Sequence, residues 1–278
     1  MKDNFITHSH NGKTHTHPIL SHIRSTPAKE IFLKEEVVND DELVEYARSD
    51  FNSNTHDLSK RLKLIDCLNL QMRYQEVINL CIDGLKEYPN DYALNRALAI
   101  RYMSTCQNKK CLDILKKLEK ETNDELDIAY KLGLVYYYLE DYKLSKDYFI
   151  KCLSLSNNDD EMYIASLYWY LMCLVENNED IISNLNKYYK DIHILHHVGY
   201  KLVIDLFLNK KDIDLLEKES NIDNLTRVIY LYGMYEYYLH NKEDKLARDI
   251  FYEGLACDEY WSSFSGLAFW NKYINKKK

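Results

Sequence analysis

A 34-residue spacing recurs through the middle of this chain and constrains its fold more than any other feature. Three blocks of that length follow one another without a gap, beginning at Leu58, Tyr92 and Leu126. Their seventh residue is leucine in every case, and acidic turns fall at matching places. A unit this short cannot bury its own apolar face, so such units must stack on one another. The recurrence therefore predicts an array of helical hairpins.

The composition supports an all-α fold. The 278 residues include 7 Gly and 3 Pro, which is few, and 25 Tyr, which is many. So few turn formers disfavour sheets joined by tight hairpins and favour long helices joined by short polar links. Since 46% of the residues are hydrophobic, there is enough apolar material for a buried core.

Small residues inside apolar runs indicate where two helices cross closely. Gly133 lies in such a run, and Gly233 repeats it in a later block. Beside Gly133, the residues Tyr136, Tyr137 and Tyr138 cover most of the helix circumference because each residue turns about 100°. From the repeat register, we expect Tyr136 to face the partner helix and the next two tyrosines to face the concave groove of the array.

Further blocks extend the array. One begins near Asp160, a degenerate one near Ile192 and a clearer one near Arg227, with Ala247 and Phe251 in its second helix, giving five to six hairpins. The predicted organisation is a flexible His-rich segment (1–30), an N-terminal helix packing on the array (31–57), the repeats (58–258), and a capping helix with a basic tail (259–278). In the capping helix, Trp261, Phe264 and Ala268 share one face.

The repeats resemble those of the tetratricopeptide (TPR) family. The similarity is clearest in DIAYKLGLVYYYLEDYKLSKDYFIKCLSLSNND and YLYGMYEYYLHNKEDKLARDIF, and Pro89 stands where that repeat usually ends in proline. With the terminal YWSSFSGLAFW, the chain is similar to a group of bacterial TPR proteins ending in a Tyr-Trp cap. The resemblance implies a right-handed superhelical solenoid that acts as a non-catalytic scaffold or adaptor and holds a peptide or protein segment in its concave groove.

The resemblance also implies which residues line that groove, namely the inner positions of each first helix. They are Arg96, Ile100 and Met103 in the second block, Tyr130, Leu134, Tyr137 and Tyr138 in the third, Tyr168 and Met172 in the fourth, and Tyr230, Met234, Tyr237 and Tyr238 in the last. Tyr offers contact area at low entropic cost and Met repacks easily, which suits a peptide groove. The alternative is that these tyrosines fill repeat interfaces.

One familiar TPR subtype is disfavoured. Chaperone-binding members hold a terminal carboxylate with Lys and Asn residues of the inner helices, whereas Leu62, Asp66 and Ala97 occupy the corresponding positions here. If the groove hypothesis is correct, changing Tyr137, Tyr138, Tyr237 and Tyr238 to Ala abolishes partner capture and leaves the fold intact. If the change unfolds the protein, these tyrosines belong to the core.

A histidine-rich head suggests an alternative function, metal binding or metal response. THSHNGKTHTHPILSH contains His8, His10, His15, His17 and His22, and Asn11-Gly12 is a strong hairpin signal that would pair His8 with His15. Neutral imidazole is a common ligand of Zn, Ni and Cu. A flexible head without defined geometry is the competing interpretation, because an isolated hairpin is marginal in water. No other cofactor is indicated.

A second histidine group, His193, His196 and His197, lies at helical spacing in the degenerate block. Its stretch ILHHVGYKLV has the pattern of a repeat helix, so we expect these residues to line a packed or groove-facing surface. Metal binding is the alternative.

Several function classes lack support in the sequence. We find no phosphate loop, dinucleotide fingerprint, nucleophile elbow or H-E-x-x-H motif, so the expectation is a protein that is not an enzyme. A net charge of −8 disfavours nucleic acid, since the one basic run is Lys276, Lys277 and Lys278. The N-terminal residues lack the apolar core of a signal peptide and no window is apolar enough for a membrane span, so we expect a soluble intracellular protein. Seven scattered cysteines without a C-x-x-C pair fit the reducing cytoplasm.

Overall fold

The computed structural model describes residues 5–10, 13–18, 42–121, 125–211, 213–220, 223–256 and 263–276. The chain divides into two compact units, residues 1–122 (unit 1) and 123–278 (unit 2). Most of the predicted flexible segment, the beginning of the predicted N-terminal helix, and Trp261 lie outside the described residues.

Unit 1 contains a short hairpin and a run of helices, each of α1 to α4 packed on the next one. Its elements are β1 (Phe5–His10), β2 (Lys13–Pro18), α1 (Glu42–Ser53), α2 (Leu58–Leu70), α3 (Tyr74–Glu87), α4 (Tyr92–Ser104) and α5 (Asn108–Glu121). Aspartates cap the first helix of each repeat: Asp57 accepts the backbone N–H of Ser59 at 2.9 Å, and Asp91 accepts that of Leu94 at 2.8 Å. The acidic links are thus helix N-caps, as their composition indicates.

The regular elements among the described residues of unit 2 are all helices. Its elements are α6 (Glu125–Tyr138), α7 (Tyr142–Leu155), α8 (Asp160–Glu176), α9 (Ile181–Leu185), α10 (Val198–Phe207), α11 (Ile213–Ser220), α12 (Asn224–His240), α13 (Asp244–Ala256) and α14 (Phe264–Asn275). Most sequential neighbours pack together, α10 packs on α8, and α14 also contacts α6 and α12, while α8 contacts α12. The end of unit 2 therefore folds back on its beginning.

One backbone turn recurs in all six described hairpins. A non-glycine residue with positive φ joins the first helix of each pair to the second; these residues are Met72, Cys106, Glu140, Asn178, Asn209 and Lys242. In every turn the following residue donates its N–H to a carbonyl five residues earlier, at 2.8 to 3.0 Å. This is the bond pattern of a left-handed helix C-cap. It identifies six hairpins and confirms the helix-turn-helix repeat.

The degenerate block differs from its predicted form. Helix α10 begins at Val198 rather than near Ile192. The second histidine group, which lies in this block, therefore precedes α10 instead of belonging to it. The physical reason lies on α8, where the Glu161 carboxylate accepts the backbone N–H groups of Leu195, His196 and His197 at 2.6, 3.1 and 2.8 Å. Burial opposes ionisation, yet these bonds and the His197 ring lower the Glu161 pKa to about 2.

Gly133 has the close helix crossing that the sequence indicates. A Cβ atom at this position would lie 2.8 Å from the Phe149 ring of α7, and Ser145 donates to the Gly133 carbonyl at 2.8 Å. Gly233, by contrast, faces Val203 of α10 and not its own partner helix. The same residue type therefore serves packing within a hairpin in one case and between hairpins in the other.

Helix α8 is the centre of the unit 2 core. All of its residues from Tyr163 to Val175 are buried, so it is apolar on every side and needs neighbours all round. Trp169 is surrounded by rings of other helices, with centroid distances of 5.1 Å to Tyr137, 6.3 Å to Phe149 and 6.0 Å to Tyr232. Aromatic bulk is concentrated where three or more helices meet.

Candidate functional site

The structure divides the thirteen predicted groove residues into two groups. Four are partly exposed: Arg96, Ile100, Tyr237 and Tyr238. The others are buried, with exposed fractions of 0 to 5%: Met103, Tyr130, Leu134, Tyr137, Tyr138, Tyr168, Met172, Tyr230 and Met234. A peptide cannot reach the buried residues without a rearrangement, so the expected open row of tyrosines in unit 2 is not present.

The tyrosines of α6 point to the predicted sides of the helix, but the surface they face is occupied. Tyr136 stacks on Tyr148 of the partner helix at 5.5 Å, as expected. Tyr138 donates its hydroxyl to the Phe264 carbonyl of α14 at 2.8 Å, and Tyr137 meets Trp169 and Tyr232. The inner side of α6 is therefore covered by helices α8, α12 and α14 of the same unit.

A buried ionic cluster lies where α14 meets this inner side. Lys272 of α14 pairs with Glu176 of α8 and, at 3.2 Å, with Glu236 of α12. The Tyr137 hydroxyl is 2.8 Å from that of Tyr232 and donates to Glu236 at 3.4 Å. We call Glu176, Glu236 and Lys272 the Lys272 cluster. It fixes the position of α14 against two other helices through charge as well as apolar contact.

Burial sets the protonation of the Lys272 cluster. It raises the pKa of Glu236 to about 7, Lys272 opposes that rise, and Glu176 adds to it. Burial alone would lower the Lys272 pKa, but the two carboxylates raise it well above its usual value. Nothing in the repeat pattern predicts this cluster; the available signal is that Glu236 and Lys272 are charged residues inside the apolar runs YGMYEYYL and GLAFWNKYI.

The corresponding surface of unit 1 is partly open. Arg96 and Ile100 of α4 are partly exposed, as is Leu62 of α2, and Asp66 of α2 is exposed. Leu62 and Arg96 are the fifth residues of consecutive blocks, and Asp66 and Ile100 are the ninth. Helices α2, α3 and α4 meet at Gly84, where a Cβ atom would lie 2.8 Å from Arg61 and 2.9 Å from Leu94. We call Leu62, Asp66, Arg96 and Ile100 the unit 1 face.

The N-terminal hairpin forms with the register expected from the sequence. Strands β1 and β2 are antiparallel, and His8 is paired with His15, Ile6 with His17, and His10 with Lys13. Strand residues alternate between faces, so positions 8, 10, 15 and 17 belong to one face of the ladder. His22 lies outside the described residues. The register therefore places four histidine positions together.

The second histidine group and the cysteines do not form a metal site within the described part of the chain. Among the described residues between 42 and 276, no group of three or more His, Cys, Asp or Glu side chains is arranged to hold a metal ion. His197 is committed to Glu161, 3.2 Å away. Burial raises the pKa of both Cys81 and Cys152 to about 12, so these thiols act as packing residues. Nor does any helix of the described residues have the length and apolar character needed to cross a membrane.

The repeated helix pairs are consistent with TPR repeats, as predicted. No protein-family model matches the sequence, and no curated protein matches it. Among solved structures, the chain is similar to the crystal structure of YrrB, a TPR protein with an unusual peptide-binding site. The two are 15% identical, with 77% of this chain and 93% of YrrB covered and a TM-score of 0.45.

Proposed function

We propose that the protein is a non-catalytic interaction scaffold that binds an extended protein segment on the unit 1 face. The observation that carries the proposal is the partial exposure of Arg96 and Ile100, which contrasts with the burial of the corresponding residues of α6. A repeat array turns its first helices toward the surface it uses for binding. In unit 2 the surface along α6 is covered by helices of the same unit, whereas in unit 1 the corresponding surface is partly accessible.

The chemistry of the unit 1 face indicates the kind of segment it would bind. Ile100 and Leu62 offer apolar surface, and Arg96 stands one helical turn from Ile100 on the same side of α4. A guanidinium beside an apolar patch suits a segment in which a carboxylate side chain is flanked by an apolar one. The occupant we propose is therefore an acidic and apolar extended segment of another protein.

A displayed library of short random peptides, selected on the full-length chain, tests this proposal. The selected peptides should be enriched in Asp or Glu beside apolar residues. Their affinity should fall by about tenfold or more for Ile100→Glu, since both apolar contact and charge complementarity are lost. Ile82→Glu is the matched control, because Ile82 is a 39% exposed residue on α3, the second helix of its hairpin. Binding that survives Ile100→Glu, or that Ile82→Glu abolishes equally, contradicts the proposal.

Metal binding by the hairpin is a second candidate, favoured by the register of β1 and β2. Directly paired residues of an antiparallel ladder have their Cβ atoms about 5 Å apart, close enough for two imidazoles to share a metal ion. We propose that His8 and His15 bind Zn²⁺, Ni²⁺ or Cu²⁺, with His10 and His17 on the same face as further ligands.

Calorimetric titration of the full-length chain with NiCl₂ or ZnSO₄ tests the metal hypothesis. The expected result is one ion per chain at pH 7.5, lost in His8→Ala/His15→Ala and weakened at pH 5.5 as imidazole protonates. Thr7→Ala/Thr16→Ala is the matched control, because Thr7 and Thr16 are also paired but belong to the other face. Equal binding by both double variants would exclude the hairpin as the site.

A further inference from the structure

A cleft in unit 2 has the features of a ligand site. The repeat pattern does not predict this cleft, and it is not part of the unit 1 face. It lies between α12, α13 and α14 and has a volume of about 370 Å³. Its buried lining is apolar and consists of Tyr235, Ala247 and Phe251. Small-molecule sites have this size range and this mainly apolar lining.

The rim of the cleft carries an excess of positive charge. Arg248 and Lys276 line it, against one carboxylate, Asp244. Among the described residues, no carboxylate oxygen lies within 4 Å of either cation. Asp244 and Arg248 are four residues apart on one helix face and could have paired, but they do not. A single added negative charge would balance the lining.

Lys276 places its charge directly over the apolar lining. Its ammonium lies 4.5 Å from the centroid of the Phe251 ring and 5.7 Å from that of Tyr235, and it donates to the Tyr235 hydroxyl at 3.4 Å. Burial, and then the nearby charge of Lys272, lower the Lys276 pKa, while the carboxylates of Glu236 and Glu176 act in the opposite direction. A cation held over two rings, with no carboxylate oxygen of the described residues within 4 Å, is a position where an anion gains both charge and apolar contact.

We propose that this cleft binds a carboxylate attached to an aromatic or other apolar body. The carboxylate pairs with Lys276 and Arg248, and the apolar body lies against Phe251 and the exposed ring of Tyr252. Such a group is found in small aryl acids and at the carboxyl terminus of a peptide that ends in an apolar residue. The site is separate from the unit 1 face, so its occupancy does not depend on the function proposed for that face.

Calorimetric titration of the full-length chain at low salt tests the site, with two probes that represent the two sources. One probe is 2-naphthylacetate, and the other is acetyl-Ala-Ala-Phe with a free carboxylate. Each is compared with its neutral amide. The expected result is that at least one carboxylate binds, and that its amide binds about tenfold more weakly or not at all. Which probe binds tells whether the natural ligand is a small acid or a peptide terminus.

Charge-matched variants assign the binding to the cleft. Arg248→Gln and Lys276→Gln should each weaken carboxylate binding by about tenfold. Lys245→Gln should leave it within about twofold, because Lys245 is an exposed residue of the same helix as Arg248 and does not line the cleft. Circular dichroism should show all three folded. The proposal is overturned if neither carboxylate binds, if amide and carboxylate bind equally, or if Lys245→Gln weakens binding as much as Arg248→Gln.

Discussion

Units 1 and 2 use the same repeat differently. In unit 1, the inner position held by Ile100 is partly exposed, whereas in unit 2 the same position is Leu134, which is fully buried. The cause is not the repeat itself, since the turns and helix pairs are alike in both units. It is α14, which returns to α6 and, with α8 and α12, covers its inner side.

An inner repeat position therefore does not have a fixed role. A residue at such a position is accessible where the surface is open, and it packs in the core where another part of the chain covers it. In unit 2, the Tyr137 hydroxyl is hydrogen-bonded to that of Tyr232. The Tyr138 and Tyr168 hydroxyls donate to the backbone carbonyls of Phe264 and Ile229, respectively. These hydroxyls thus satisfy one another and the backbone, as buried polar groups must.

Truncating the same repeat position in both units tests this difference most directly. Leu134→Ala should lower the free energy of unfolding of unit 2 by about 3 to 4 kcal/mol, because a fully buried leucine leaves a cavity. Ile100→Ala should cost unit 1 about 1 kcal/mol, because its side chain is already in contact with water. All three tryptophans, Trp169, Trp261 and Trp270, belong to unit 2.

Tryptophan fluorescence therefore reports unit 2 alone, whereas circular dichroism reports both units. Urea unfolding followed by both signals measures the two variants separately. Equal losses for Leu134→Ala and Ile100→Ala would show that the unit 1 position is as enclosed as that of unit 2.

The ion pairs provide the next test. Lys272→Met should destabilise unit 2 by about 3 kcal/mol, because it leaves Glu236, 1% exposed, beside Glu176 without a cation. In unit 1, Lys60 pairs with Asp50 at 2.8 Å, but these side chains are 27% and 33% exposed. Lys60→Met should therefore cost less than about 1 kcal/mol.

The double variant Lys272→Met/Glu236→Gln separates charge from packing. It removes one of the two carboxylates that Lys272 neutralises, so it should recover part of the stability lost in Lys272→Met. If Glu236→Gln lowers the stability of the Lys272→Met variant as much as it lowers that of the unchanged chain, the cluster is not an electrostatic unit.

Stability should also depend on pH in unit 2 through Glu236. Its pKa is raised to about 7 in the folded state, whereas in the unfolded chain it is near the ordinary 4.5. Folding therefore takes up a proton between these values, and the stabilising effect is complete below about pH 4.5 and is lost as the pH rises through 7. From pH 5 to 7.5, the free energy of unfolding should fall by about 2 kcal/mol on this account.

Glu236→Gln should remove this slope, as measured by urea unfolding followed by tryptophan fluorescence. Glu161 should not add to the slope in this pH range. Its pKa is lowered to about 2, so its contribution to stability is already complete above pH 4.5. A slope that is unchanged in Glu236→Gln would assign the pH dependence to another group.

The local part of this fold follows from the sequence. The blocks starting at Leu58 and Tyr92 correspond to α2 and α4 to the residue, and Gly133 marks a close crossing. These features depend on residues within one hairpin, so a 34-residue pattern contains them. The histidine hairpin was predictable for the same reason, since Asn11-Gly12 sets its register locally.

The nonlocal part does not follow from the sequence. Tyr138 and Phe264 are bonded across 126 residues, and no repeat pattern relates them. The same applies to the Glu161 carboxylate, which binds backbone N–H groups 34 to 36 residues away and delays the start of α10. Side chains that satisfy distant backbone groups leave no periodic signal, so the candidate groove could be placed on the correct helices but not recognised as filled.

The smallest expected effect concerns the turn that both units share. Lys242 has φ of 61° in the turn between α12 and α13, where a side chain costs about 1 kcal/mol and glycine costs nothing sterically. Lys242→Gly should therefore raise the free energy of unfolding of unit 2 by about 0.5 kcal/mol, after the greater flexibility of glycine in the unfolded chain is subtracted. Lys245→Gly, three residues later inside α13, should lower it by about 1 kcal/mol, because helical backbone gains nothing from glycine. Urea unfolding followed by tryptophan fluorescence measures the free energy of unfolding of both variants, and we expect the two changes to have opposite signs. If both variants are destabilised alike, the left-handed turn that defines the six hairpins does not strain its side chain.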